Sequence, residues 1–246
     1  MSFHQFKTIL VDDIKESFKD KRILAVIVIY LIILSWGMKK AIAFSGVWNF
    51  WLTEMVGLGK QLPFSVIFFY FASIALLPIL SLLLSYDIIS GERRTLRNII
   101  YRCPRISLFF GKFIAIFLIN VVINLIIYII AIDYLSNQSS KSFLSEGLLL
   151  YIFLVCFALY FTSLVTMAST LTKSPRKSLF LGALFIFIPL LFLFSNTIKI
   201  LSPFHYYKYG MLFFSESVSP APFVLLIISS AIFLGLAYYV FRRQDL

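Results

Sequence analysis

The side chains best equipped for chemistry lie in one charged loop, residues 87–112, between two long apolar runs. Its cations are Arg93, Arg94, Arg97, Arg102, Arg105 and Lys112, and its two carboxylates belong to Asp87 and Glu92. Arginine binds phosphate groups well, so the loop could bind lipid headgroups or serve as a docking site. Its excess of positive charge predicts that it stays in the cytoplasm.

The pattern of this loop predicts a short amphipathic helix over residues 90–104. Ser90 can cap the helix by accepting backbone N–H groups, and Glu92 suits the positive end of the helix dipole. Pro104 ends the helix because the residue before a proline is pushed out of the helical region. One face is apolar and consists of Ile89, Leu96, Ile99 and Ile100. The helix either docks a partner or rests on the membrane while its arginines hold the topology.

Polar residues also recur at four-residue spacing inside two apolar runs. The first set is Asn120, Asn124 and Tyr128, and the second is Thr162, Thr166 and Thr170. Each stripe could line a translocation path, and the asparagines and threonines are the candidate residues for such a path. The alternative is that they join neighbouring helices by hydrogen bonds.

Other chemistries find little support in the sequence. His4 and His205 have no second ligand at a usable spacing, so we predict no metal site and no catalytic residue. Cys103 and Cys156 show no disulfide or metal spacing. The chain contains no G-x-x-x-x-G-K-[ST] phosphate loop, so we expect that it binds no nucleotide by that route and no cofactor of its own.

The composition is that of an integral membrane protein. Hydrophobic residues make up 61% and charged residues 13% of the chain, and the mean hydropathy is +0.95; about a quarter charged is usual in soluble domains. The 246 residues leave room for six spans of about 20 residues but for no large soluble domain. The lysines and arginines flank the apolar runs, as topology requires, so nucleic acid is not a predicted partner.

Six membrane-spanning helices are predicted. They cover residues 23–38, 62–86, 113–132, 147–171, 179–198 and 223–241. With the N-terminus inside, cytoplasmic segments carry 16 of the 22 lysines and arginines, so both termini are predicted to be cytoplasmic. Because the six cores contain no ionisable residue apart from tyrosine and cysteine, an ion-driven transporter is disfavoured and the energy source should be a separate protein.

Two further segments complete the predicted all-α fold. Residues 1–22 form an amphipathic interfacial helix, and residues 23–246 form the six-helix transmembrane domain. Residues 199–222 are too apolar for an ordinary loop and are interrupted by glycine and prolines, which is typical of a re-entrant or surface-lying hairpin.

A resemblance to a known family rests on the charged loop. The residues that carry it are Ile89-Ser90-Gly91-Glu92-Arg93-Arg94-Thr95-Leu96-Arg97, then Pro104, and Gly111-Lys112-Phe113. This string resembles the permease subunits of type-2 ABC exporters, although Arg94 stands where members often have glycine. Ser202-Pro203-Phe204 is also similar to a segment near the outer face of those proteins.

The resemblance implies that the loop is the coupling helix between the second and third spans. This helix transmits movements of a cytoplasmic ATP-binding subunit, which holds ATP and Mg. The docking residues would be Ser90, Gly91, Glu92, Arg93, Arg94, Thr95, Leu96 and Arg97. A second permease copy, identical or different, would complete a dimer in the lipid of the cell membrane. The uncharged cores favour an apolar or amphipathic substrate.

Two alternatives from other classes stay open. An integral membrane enzyme could modify lipids by using Asp87, Glu92 and the loop arginines at the headgroup level. Two carboxylates without a histidine or a metal site are, however, few groups for catalysis. A membrane scaffold without transport would need none of these groups.

Overall fold

The computed structural model describes most of the chain, and every regular element in the described residues is helical. These residues are 3–43, 64–91, 104–138, 144–195, 197, 199, 202–206 and 220–244. The predicted all-α class is confirmed for this part of the chain.

Seven α-helices and one 3₁₀ turn make up the described structure. They are α1 (Phe3–Lys19), α2 (Lys21–Ala43), α3 (Phe64–Ser85), α4 (Arg105–Gln138), α5 (Leu144–Leu171), α6 (Pro175–Phe192), the 3₁₀ turn (Pro203–Tyr206) and α7 (Ala221–Arg243). Helices suit such apolar sequences because they satisfy their own backbone hydrogen bonds where water is absent. The division into an interfacial helix over 1–22 and a membrane domain over 23–246 stays a prediction.

Four of the described helices are long and apolar enough to cross a membrane. They are Arg105–Ile130, Tyr151–Leu171, Pro175–Phe192 and Ala221–Arg243. The described parts of the first two predicted spans contain shorter apolar helices, Ile23–Gly37 and Ile74–Ser85. The chain is therefore a multi-pass membrane protein.

Two helices, α4 and α6, begin four or more residues before their predicted spans. Helix α6 starts at Pro175 rather than at residue 179, because proline suits the first helical position after the extended backbone of Ser174. It also ends at Phe192 instead of reaching residue 198. Helix α4 starts at Arg105 rather than at residue 113, which places Lys112 inside the helix.

Helix α5 is the centre of the bundle. Of the most apolar stretch of α5, 72% is buried inside the protein, against 17% of the corresponding stretch of α7. Phe153, Phe157 and Phe161 have no exposed surface. Helix α5 packs most extensively against α7. Two ring contacts at different positions along this pair, Phe153 with Phe223 and Tyr160 with Phe233, show that the two helices run in parallel.

The 3₁₀ turn lies inside this bundle. Ser202 Oγ donates to the carbonyl of Pro189 at 2.6 Å. The buried Phe204 ring lies 5.6 Å from Phe157 and 5.4 Å from Phe161, centroid to centroid, which is near the middle of α5. Residues 202–204 of the predicted 199–222 hairpin therefore reach the core, and residues 200, 201 and 207–219 lie outside the described residues.

Candidate functional site

The start of the charged loop is fastened to helix α5. After α3 the chain turns through residues 86–91, and Ile88 and Ile89 are buried there. The Oγ of Ser169 on α5 accepts the backbone N–H groups of Ile89 at 3.1 Å and of Ser90 at 3.2 Å. Its own hydroxyl donates to Ser90 Oγ at 3.4 Å. We call Ile89, Ser90 and Ser169 the entry anchor.

Ser90 and Gly91 are the two predicted docking residues that the structure describes. Ser90 is buried, and its hydroxyl donates to the carbonyl of Tyr86 at 3.0 Å. Gly91 is exposed, and its N–H donates to the carbonyl of Asp87 at 2.8 Å. A Cβ at Gly91 would lie 2.9 Å from that carbonyl oxygen, so the tight turn requires glycine at this position.

The remaining docking residues lie outside the described residues. They are Glu92, Arg93, Arg94, Thr95, Leu96 and Arg97. The predicted helix over 90–104 and the apolar face with Leu96, Ile99 and Ile100 therefore stay predictions. Of the 90–104 segment, the structure describes the two ends, at residues 90–91 and at residue 104.

The far end of the loop is fastened to the C-terminal end of α7. Arg105 Nη1 donates to the carbonyl of Arg242 and, at 3.2 Å, to the carbonyl of Gln244. The Gln244 side-chain amide in turn donates to the carbonyl of Thr170 on α5. We call Arg105, Arg242 and Gln244 the exit anchor.

A small apolar cluster fills the space between these anchors. It contains Ile88 and Ile89 from the turn, Leu108 and Phe109 from α4, and Ala237 and Phe241 from α7. The Phe109 and Phe241 ring centroids lie 5.5 Å apart. The two ends of the loop and the ends of α5 and α7 thus form one packed unit.

Helix α1 joins this end of the bundle through an ion pair. Lys112 Nζ lies 2.9 Å from Asp13 Oδ1, and the two side chains are 6% and 17% exposed. Asp13 faces α4 and lies beside the half-buried Ile9, Leu10 and Ile14. The acidic partner allows Lys112 to be buried inside a helix, because a buried charge needs a counter-charge.

The polar stripes of α4 and α5 meet in the interior. Asn120 Nδ2 donates to Ser81 Oγ on α3 at 2.8 Å and to Thr162 Oγ1 on α5 at 3.3 Å. Asn124 Nδ2 donates to Asn120 Oδ1 at 3.0 Å, and Tyr30 on α2 donates to Asn124 Oδ1 at 3.4 Å. This network connects four helices, and each of its side chains is at most 5% exposed.

Thr166 and Thr170 do not join this network. The Thr166 hydroxyl donates to the carbonyl of Thr162 at 2.7 Å, and that of Thr170 donates to the carbonyl of Met167 at 2.7 Å. Both are buried. Of the five candidate path residues, the structure therefore brings together Asn120, Asn124 and Thr162.

An apolar cleft of about 440 Å³ lies between α3, α6 and the 3₁₀ turn. All of its lining residues are apolar; they include Ile74, Pro78, Ile79, Ile186, Phe187 and Phe204. A Cβ at Gly182 would lie 2.7 Å from Leu82 Cδ1, so α3 and α6 approach closely at the end of the cleft nearer the charged loop. Such a cleft can hold an apolar group.

Several residues of this site were missed by sequence reasoning. Ser169 falls between the regularly spaced Thr166 and Thr170, and Gln244 follows the last predicted span; neither gave a distinguishing pattern. Among the residues that the structure describes, no group of three or more His, Cys, Asp or Glu side chains is placed to hold a metal ion.

Comparison with known proteins gives one family. The family described as ABC-2 family transporter protein matches residues 7–246. No curated protein matches the chain.

Proposed function

The chain belongs to the ABC-2 family of transporter proteins, and from this premise we propose that it is the membrane-spanning permease subunit of an ATP-driven exporter. Membership of this family favours a transporter subunit over the lipid-modifying enzyme and the scaffold. Permeases of this family generally partner with an ATP-binding subunit. The family that the loop motif resembles is thereby confirmed.

One observation carries the proposed coupling role of the loop. Both ends of the 92–103 segment are fastened to the helix bundle, at Ser169 by the entry anchor and at Arg242 and Gln244 by the exit anchor. A solvated linker needs no such fastening. A segment that must transfer a push from a soluble subunit to membrane helices does need it.

We propose that the chain crosses the plasma membrane six times and that both of its termini lie in the cytoplasm. The described parts of three segments expected in the cytoplasm are in contact: α1 and residues 242–244 both meet the 87–112 loop, at Lys112 and at Arg105. Since these contacts gather at one end of the bundle, they support a single cytoplasmic face.

The energy is proposed to come from two cytoplasmic ATP-binding subunits that hold ATP and Mg and act on a dimer of permeases. Closure of these subunits would push on the 90–104 segment and rock the permease halves apart. The second copy is either identical or different, and lipid surrounds the pair.

The substrate is proposed to be apolar or amphipathic. The wholly apolar lining of the cleft between α3 and α6 supports this class. For Asn120, Asn124 and Thr162 we propose interhelical packing rather than a path lining, because their hydrogen bonds are made to one another and to neighbouring helices.

The docking role is tested by removing one loop charge at a time. Glu92→Gln and Arg97→Gln should each weaken association with the ATP-binding subunit by about ten-fold, because truncating one partner of an interfacial charge pair is costly. Arg176→Gln, which removes an exposed arginine from the first turn of α6, is the control and should bind normally. Normal association and transport in both loop variants would refute the docking role.

A further inference from the structure

Resting on the proposed function, we propose that Ser169 and Arg105 are positioning residues that carry movement of the loop to helices α5 and α7. The chain itself connects the loop only to α3 and α4. The two anchors add a second connection, since the loop start is bonded to α5 and the loop end to α7. The α5–α7 pair would therefore move with the loop.

The hydroxyl of Ser169 is used differently from three other hydroxyls in the second half of α5. Ser163, Thr166 and Thr170 all donate to carbonyls of their own helix. Ser169 instead accepts two consecutive N–H groups of the loop turn and donates to Ser90. Ser169 has no exposed surface; without its oxygen the N–H groups of Ile89 and Ser90 would lose this buried acceptor, which is costly.

Arg105 holds the other end through charge. Its guanidinium donates to carbonyls at the C-terminal end of α7, where the helix dipole favours a cation. The bond from Gln244 to the carbonyl of Thr170 then ties α7 back to α5, one residue from Ser169. The contacts form a closed ring through the loop turn, α5, α7 and α4.

Movement of the α5–α7 pair would reach the apolar cleft. Phe157 and Phe161 on α5 contact Phe204 of the 3₁₀ turn, and Phe204 lines the cleft. A continuous series of packed contacts thus connects Ser169 to the proposed substrate site. The measurement therefore follows movement at both ends of this series.

The test compares Ser169→Ala and Arg105→Gln with matched controls in the purified complex with its ATP-binding subunit. Ser163→Ala removes an equally buried hydroxyl from the same helix, and Arg176→Gln removes an exposed arginine from the first turn of α6. Hydrogen–deuterium exchange is measured with and without ATP and vanadate, over the 86–91 turn and over the C-terminal ends of α5 and α7. ATP hydrolysis is measured in the same samples.

In the unmodified complex and both controls, ATP with vanadate should change exchange in the turn and in both helix ends. In Ser169→Ala and Arg105→Gln the change at the helix ends should shrink at least about two-fold while ATP hydrolysis continues. Arg105→Lys, which keeps the charge, should retain more of the change than Arg105→Gln.

Equal responses in the anchor variants and their controls, with hydrolysis intact, would overturn the positioning role and leave the permease assignment standing. If no ATP-binding subunit joins the unmodified chain, the proposed function itself fails. Should Ser169→Ala fail to fold, Arg105→Gln decides the question alone, because its side chain is only half-buried.

Discussion

At the scale of single residues, Thr162 and Thr166 allow a packing role to be told apart from the lining of a translocation path. Thr162 and Thr166 lie one turn apart on α5, and neither has exposed surface. Only Thr162 accepts a hydrogen bond from another helix, at 3.3 Å from Asn120 Nδ2. The hydroxyl of Thr166 serves the backbone of its own helix.

Valine in place of each threonine tests this difference at nearly constant volume. Thr162→Val should lower the free energy of unfolding by about 1 kcal/mol, because one N–H of buried Asn120 loses its acceptor within the membrane. Thr166→Val should change it by less than about 0.5 kcal/mol, since no interhelical bond is lost. Unfolding in mixed detergent micelles gives both values. If the two variants are equally stable and lose transport to the same extent, the threonines would instead line a translocation path.

Part of this network could be predicted from the sequence. The four-residue spacing of Asn120 and Asn124, and the polar Thr162, identified three members. Ser81 and Tyr30 could not be identified, because their partners depend on how α3 and α2 are rotated and tilted against α4. Ser169 was missed for the same reason: its acceptor role exists only once the turn at 86–91 lies against α5.

At the scale of elements, α4 shows how a long-range contact moves a helix boundary. Hydropathy places the start of the third span after Lys112, because a lone charge is costly within a membrane. The structure starts the helix at Arg105, and Lys112 is paired with Asp13, 99 residues away in the chain. No local pattern could reveal that pairing.

The same ion pair predicts how firmly α1 is held. Asp13→Asn should lower the free energy of unfolding by about 2 kcal/mol, because Lys112 then stays buried without its counter-charge. Asp12→Asn is the matched control, since the neighbouring Asp12 is exposed; its effect should be within about 0.5 kcal/mol. Unfolding in mixed micelles measures both. Equal effects of the two variants would show that the pair does not fasten α1.

At the scale of the whole molecule, composition and the loop motif were sufficient for the all-α class, the multi-pass character and the family. These follow from apolar runs and from a local string of residues. The connection of the charged loop to α5 and α7 could not be predicted, because it joins Ile89 to Ser169 and Arg105 to Gln244, which are 80 and 139 residues apart in the chain. The apolar cleft likewise depends on the 3₁₀ turn that packs between helices.

We propose that this chain works as the permease of an ATP-driven exporter, and this function can be tested directly. The most direct measurement is affinity purification of the chain from its native membrane in detergent, with mass spectrometry of the proteins that accompany it. We expect a soluble protein with a phosphate-binding loop in a fixed ratio to the chain, and we expect its release when Glu92 and Arg97 are replaced. A chain that purifies without any such protein, even after crosslinking in the membrane, would contradict the proposed permease function.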